Sequence, residues 1–166
     1  MYTTMEILLR EYRSSGNKGL VPIRKEPMSK EISRMNTTAL AYLGDAVYEV
    51  EIRKRMLLKR PDHVDQLHRQ SVGYVRAEAQ AAAIRNLMEE LVPEEADLVR
   101  RARNRKILSK PKNLDPITYK LATAFEALIG YLYLSEQGDR LEEILRRSVE
   151  IIEQEAGKHE RKENQK

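Results

Sequence analysis

Two carboxylates stand alone inside otherwise apolar helical sequence. Asp45 is the only charge in Ala39-Leu40-Ala41-Tyr42-Leu43-Gly44-Asp45-Ala46-Val47-Tyr48, and Glu126 is the only charge in Leu121-Ala122-Thr123-Ala124-Phe125-Glu126-Ala127-Leu128-Ile129-Gly130. On a helical wheel the apolar residues cover nearly every face of both segments, which predicts two helices buried on most sides. A lone buried carboxylate is costly unless something positive compensates it. Small residues flank each acid, Gly44 and Ala46 in one case and Ala124 and Ala127 in the other. They would let the two helices approach and bring both acids to one cavity. Two facing carboxylates repel, and a hard divalent cation relieves that repulsion through oxygen ligands. The alternative is an acid held by an arginine, a lysine or a helix N-terminus.

A second chemical signal is the run from Arg100 to Lys112, RRARNRKILSKPK, which contains no acid. Arg101, Arg103, Lys106 and Lys112 suit phosphates, and Asn104 and Asn113 are interleaved neutral hydrogen-bonding groups. That mixture fits the phosphates and ribose hydroxyls by which an A-form RNA duplex is read across its shallow minor groove. The bland alternative is a solvated charged face. The position of the run, just before the segment carrying Glu126, puts a bound polyanion within reach of the acids. Acids alone would repel a phosphate backbone, so such a site needs flanking cations.

The elements that must position these groups read as helices. Leu, Ala, Glu, Arg and Lys are abundant, aromatic residues make up 5%, and there are 7 glycines in 166 residues, a balance that favours helix throughout. Helices are predicted from Met35 to about Leu58, from Pro61 to His68, from Val72 to Leu91, and from Pro93 to about Arg105. Two more follow, from Asp115-Pro116 to about Ser135 and from Gly138-Asp139 to about Glu155. Asp115 as N-cap with Pro116 after it, and Pro93 followed by two acids, are helix starts with a mechanism. The expected organisation is a weakly ordered N-terminal extension over 1–27, one all-α domain over 28–155, and a polar C-terminal tail over 156–166.

Composition removes several classes. One domain of this length buries a full core. With 41% hydrophobic and 34% charged residues and a net charge of +4, the chain is mildly basic, so charge clustering carries the nucleic-acid signal. Cysteine is absent, which excludes disulfides and thiol nucleophiles and fits a reducing cytoplasm. No apolar run approaches a membrane span, and the first residues lack the apolar stretch of a signal peptide. His63, His68 and His159 lack metal-ligand spacing, and there is no Gly-rich phosphate loop.

Leu43-Gly44-Asp45-Ala46-Val47 and Thr123-Ala124-Phe125-Glu126-Ala127-Leu128-Ile129-Gly130 resemble the two signatures of the ribonuclease III catalytic domain. Arg101-Ala102-Arg103-Asn104, Pro111-Lys112-Asn113, Thr118-Tyr119, Leu67-His68 and Ala77-Glu78-Ala79-Gln80-Ala81 are similar to the Mini-III branch, which has this domain without an appended double-stranded RNA-binding domain. The likeness spans roughly Met35 to Glu153. It implies a homodimeric helical bundle, cytoplasmic, that cleaves double-stranded RNA with Mg²⁺, or Mn²⁺ as a substitute, held by Asp45 and Glu126. It implies Arg101, Arg103, Asn104, Lys106, Lys112 and Asn113 as RNA-binding residues. The implied substrate is the large-subunit (23S) ribosomal RNA precursor, with a ribosomal protein on that precursor as a further partner. Longer relatives carry four acids at the metal site. Here Ala41 stands four residues before Asp45 and Thr123 three before Glu126, a reduction typical of the Mini-III branch. Glu49, one turn after Asp45, is a supporting acid or a surface group. A non-catalytic RNA-binding module with this fold is the rival reading.

Overall fold

The computed structural model describes residues 28–59, 63–106 and 113–163; the expected extension over 1–27 lies outside them, as does Lys112. The described residues are helical, in the order α1 (Met28–Ser33), α2 (Thr37–Leu58), α3 (Val64–Val75), α4 (Ala77–Leu87), α5 (Pro93–Asn104), α6 (Pro116–Leu134) and α7 (Gly138–Glu163). The all-α expectation holds.

Helix α6 is the centre. Leu121, Ala124, Phe125, Ala127, Leu128, Ile129, Tyr131 and Leu132 are all buried, because α2, α4, α5 and α7 pack around it. Its start is the one read from sequence: Asp115 accepts from the Thr118 amide at 2.8 Å and from the Thr118 hydroxyl at 3.0 Å, with Pro116 in the first turn. It ends with Glu136 at φ 58, where the Gln137 amide donates to the Leu132 carbonyl and the Glu136 amide to the Tyr133 carbonyl. This pair of bonds closes a helix through a left-handed residue, here without the usual glycine.

Helix α2 presents Leu40, Ala41, Gly44, Tyr48, Ile52 and Met56 to the interior at helical spacing. Tyr48 stands edge-on to Phe125 of α6, ring centroids 4.9 Å apart, and donates its hydroxyl to the Tyr74 carbonyl. The Glu95 carboxylate, almost fully buried at the start of α5, accepts from the Val92 amide and from both Nε and Nη2 of Arg140. Arg140 also donates to the Glu90 carbonyl. A buried acid of this kind is tolerable only when paired and fully bonded, and the pairing fixes α7 to the start of α5.

Several boundaries differ from the sequence reading. Helix α1 was not predicted, the start expected at Pro61 lies outside the described residues, and the break expected between His68 and Val72 is absent because α3 runs unbroken from Val64 to Val75. The helix expected from Val72 to Leu91 is divided at Arg76, which is extended (φ −63, ψ 149). Two burial directions explain the corner: α3 packs on α2, whereas α4 must turn to lay Ala79, Ala83, Ile84 and Leu87 against α6 and α7. The last helix continues to Glu163 rather than stopping near Glu155.

Candidate active site

Helices α2 and α6 cross at two glycines. A Cβ placed on Gly44 would stand 1.8 Å from the Glu126 carbonyl oxygen and 2.7 Å from the Gly130 nitrogen; one on Gly130 would stand 2.0 Å from the Leu40 carbonyl oxygen. The backbones therefore touch, which only glycine permits. Asp45 follows the first glycine and Glu126 precedes the second by one turn, so the crossing brings both acids to one place. Of the small residues that flank the acids in sequence, Gly44 makes this contact, whereas its partner Gly130 stands a full turn beyond Glu126 and Ala46 is exposed.

The acids are less enclosed than the sequence suggested. Glu126 is half-buried and Asp45 is exposed. Helix α2 is not covered on most sides, because among the described residues nothing covers the row Tyr42, Ala46, Val50 and Leu57. An apolar helical wheel reports what could be buried, and not by which chain.

Burial first, and the Asp45 charge second, push the Glu126 carboxyl up to about 8; a hydrogen bond from the Gln80 side chain opposes them. Asp45 is raised as well, by its own partial burial and then by Glu49. Among the described residues neither acid is in an ion pair with a lysine or arginine. Glu49 is paired with Arg53 on the helix surface, so it acts on Asp45 only through its charge.

Two close carboxylates without a fixed counter-cation fit a hard divalent ion that keeps several waters, which needs only one or two protein carboxylates. No group of three or more His, Cys, Asp or Glu side chains converges among the described residues. The donor set is therefore two oxygen-bearing acids with one neutral amide behind them. Gln80, 1% exposed on α4, was not singled out by sequence reasoning. The available signal was its place on the same stripe as Ala83, Ile84 and Leu87, a polar residue where the period of α4 asks for an apolar one.

The basic segment divides. Arg101 donates to Asp97 and, at 2.5 Å, to the Ser33 carbonyl at the end of α1; Arg105 donates to Asn36, the N-cap of α2. Together with Met35, Asn36, Thr37, Asp97, Arg100 and Asn104 they line a cleft of about 590 Å³. Arg103, Lys106 and Asn113 are exposed, and Arg103 and Lys106 are in no ion pair among the described residues.

Residues 38–137 match the ribonuclease III domain model. The Mini-ribonuclease 3 of Symbiobacterium thermophilum is 49% identical over 114 residues, 69% of this chain and 88% of that one. Its counterpart in Thermoanaerobacter is 42% identical over 130 residues, 78% of this chain and 92% of that one. The crystal structure of protein FN1578 from Fusobacterium nucleatum superposes with a TM-score of 0.64 at 30% identity, covering 72% of this chain and 96% of that one. Both signature acids, the glycine crossing between them and the whole basic run fall inside the matched span, and on that agreement the chain belongs to the ribonuclease III family of endoribonucleases, in the branch of its Mini-ribonuclease 3 relatives.

Proposed function

We propose that this chain cleaves double-stranded RNA as a homodimer, with a divalent cation held by Asp45 and Glu126, and that its substrate is the large-subunit (23S) ribosomal RNA precursor. The single observation that carries the cation-dependent part is the Gly44–Gly130 crossing, which sets the Asp45 charge near enough to act on Glu126, with no lysine or arginine paired to either acid among the described residues. Mg²⁺, or Mn²⁺ in its place, supplies activation of water and neutralisation of the charge that develops on the phosphodiester. The chain's own residues do the rest. Asp45, exposed, and Glu126, half-buried, offer hard oxygen ligands from two helices locked together by backbone contact. Arg103 and Lys106 take duplex phosphates, Asn104 and Asn113 take ribose hydroxyls, and Lys112 lies on the same run. Arg101 offers the duplex a further cation while its bond to the Ser33 carbonyl holds it at the cleft beside the α2 N-terminus, which Arg105 also borders.

A second copy is supported by the uncovered α2 face. Tyr42 is 86% exposed and Val50 62%, and beside that helix a cavity of about 370 Å³ is lined by Met56, Leu57, Val64, Leu67, Val72 and Val75 among others. Pairing two protomers would set two acid sites and two basic runs along one duplex. A cytoplasmic site of action and a ribosomal protein on the precursor complete the proposal. No helix among the described residues is long and apolar enough to cross a membrane.

Cleavage of a long RNA duplex with Mg²⁺, comparing the wild type with Asp45→Asn, tests the reading. The wild type should cut and the variant should bind without cutting. Equal cutting by both would discard the assigned acids, and binding without cutting by the wild type would establish instead a non-catalytic RNA-binding module on this fold.

A further inference from the structure

Gln80 is the one polar side chain that α4 buries. It lies among the small buried residues Ala79, Ala81 and Ala83, on the face of α4 that packs against α6, where its amide favours the ionised Glu126 carboxylate against the burial that opposes it. Burying an amide is costly unless it is bonded, and leucine in the same stripe would fill the space without that cost. The amide therefore answers to the carboxyl opposite. An ionised carboxylate only accepts hydrogen bonds, so Gln80 meets it with its NH₂ group. The choice of a neutral donor matters. A lysine or arginine here would neutralise Glu126 and take the place of a divalent cation, whereas an amide orients the carboxylate and leaves its charge available.

We infer that Gln80 is a positioning residue that holds the Glu126 carboxylate oriented beside Asp45 for a shared divalent cation without neutralising it. The inference rests on the cation site proposed above and extends it to a third helix. Outer hydrogen bonds to a ligating carboxylate set how well it binds its ion, and losing one typically weakens metal affinity about 10- to 100-fold. A merely structural glutamine would move folding stability and leave cation affinity alone.

The test is calorimetric titration of the EDTA-treated, RNA-free protein with Mn²⁺, on the wild type, Gln80→Leu, Gln80→Met and Glu126→Gln. Circular dichroism checks folding, and RNA cleavage is followed against Mg²⁺ concentration. Both Gln80 variants should fold and bind Mn²⁺ about 10- to 100-fold more weakly. They should need correspondingly more Mg²⁺ and recover much of the wild-type rate when it saturates. A folded Gln80 variant with wild-type Mn²⁺ affinity and wild-type Mg²⁺ dependence overturns the inference. So does loss of fold in both, which would assign the amide to the core. If Glu126→Gln also keeps wild-type Mn²⁺ binding, the cation site itself is misplaced. If only the Gln80 variants keep it, the site stands and Gln80 leaves it.

Discussion

Gly44 and Gly130 meet backbone to backbone where α2 crosses α6, and neither position has room for a methyl group. Everything chemical in the molecule is referred to that contact. A side chain at either position would separate the helices, and with them Asp45 from Glu126, so the spacing of the acids is fixed by the absence of atoms.

Gly44→Ala should therefore damage stability and chemistry together. Its Cβ would meet backbone atoms of Glu126 and Gly130 rather than yielding side chains, and overpacking of this kind costs roughly 1–3 kcal/mol or more. Urea denaturation should show that loss, and cleavage should fall further than the unfolded fraction explains. Gly73→Ala is the control: nothing lies within 4 Å of its Cβ, so the exchange should stabilise α3 by about 0.5–1 kcal/mol. A neutral Gly44→Ala would dissolve the close crossing.

Acid titration gives a second outcome with a definite sign. Glu126 has an ordinary value near 4.5 when unfolded and about 8 when folded. Between those values the folded protein holds a proton that the unfolded chain has released. Its contribution to stability is thus full below the lower value and is lost as pH rises towards the upper one. In EDTA the wild type should become less stable from pH 5 to pH 8, by at most a few kcal/mol from this group. Glu126→Gln should lack that slope and exceed the wild type in stability at pH 8. Thermal melts at fixed ionic strength decide it, and parallel curves for the two proteins would remove Glu126 from its buried, Asp45-facing setting.

The acids and the helix starts at Asp115 and Pro93 were legible in the sequence because they depend on neighbours three to five residues away. Charge isolation, capping and small flanking residues are all local signals. The corner at Arg76 was not legible, since both α3 and α4 are acceptable helices and only their different partners in space force the break. Gln80 escaped for a related reason: its meaning lies in Glu126, on another helix. Asp45 was expected to be enclosed because a helical wheel counts apolar faces without saying that the Tyr42 face has no cover among the described residues. The run Arg100–Lys112 looked uniform, yet Arg101 and Arg105 are drawn to Ser33 and Asn36, partners far away in the chain.

That division of the basic run separates its members experimentally. Arg103→Ala and Lys106→Ala remove exposed cations with no ion pair among the described residues. Each should weaken duplex binding, lower the slope of log affinity against log salt by about 1, and leave the melting temperature unchanged. Arg101→Ala should in addition destabilise the protein, because its guanidinium bonds the Ser33 carbonyl and Asp97. Fluorescence anisotropy on an RNA duplex over a salt series, alongside thermal melts, would show it. An unchanged slope for Arg103→Ala and Lys106→Ala would make them ordinary surface.

The exposed row of α2 makes the last case. Tyr42, Ala46 and Val50 repeat every fourth residue along one face, which continues through Leu57, and Tyr42 is almost wholly exposed in one protomer. Isolated apolar residues are common on surfaces, but an ordered helical row is an interface signal, and the proposed seam between copies runs along it. Tyr42→Glu places a charge at one end of that row without touching the core, so the protomer should fold with its helix content intact. Sedimentation equilibrium should then give a dimer for the wild type and a monomer for the variant. Cleavage of duplex RNA should fall with the dimer fraction, because one acid site and one basic run hold a duplex more weakly than two. A Tyr42→Glu protein that remains dimeric would place the contact elsewhere. A monomeric variant that cuts at the wild-type rate would show that each protomer works alone.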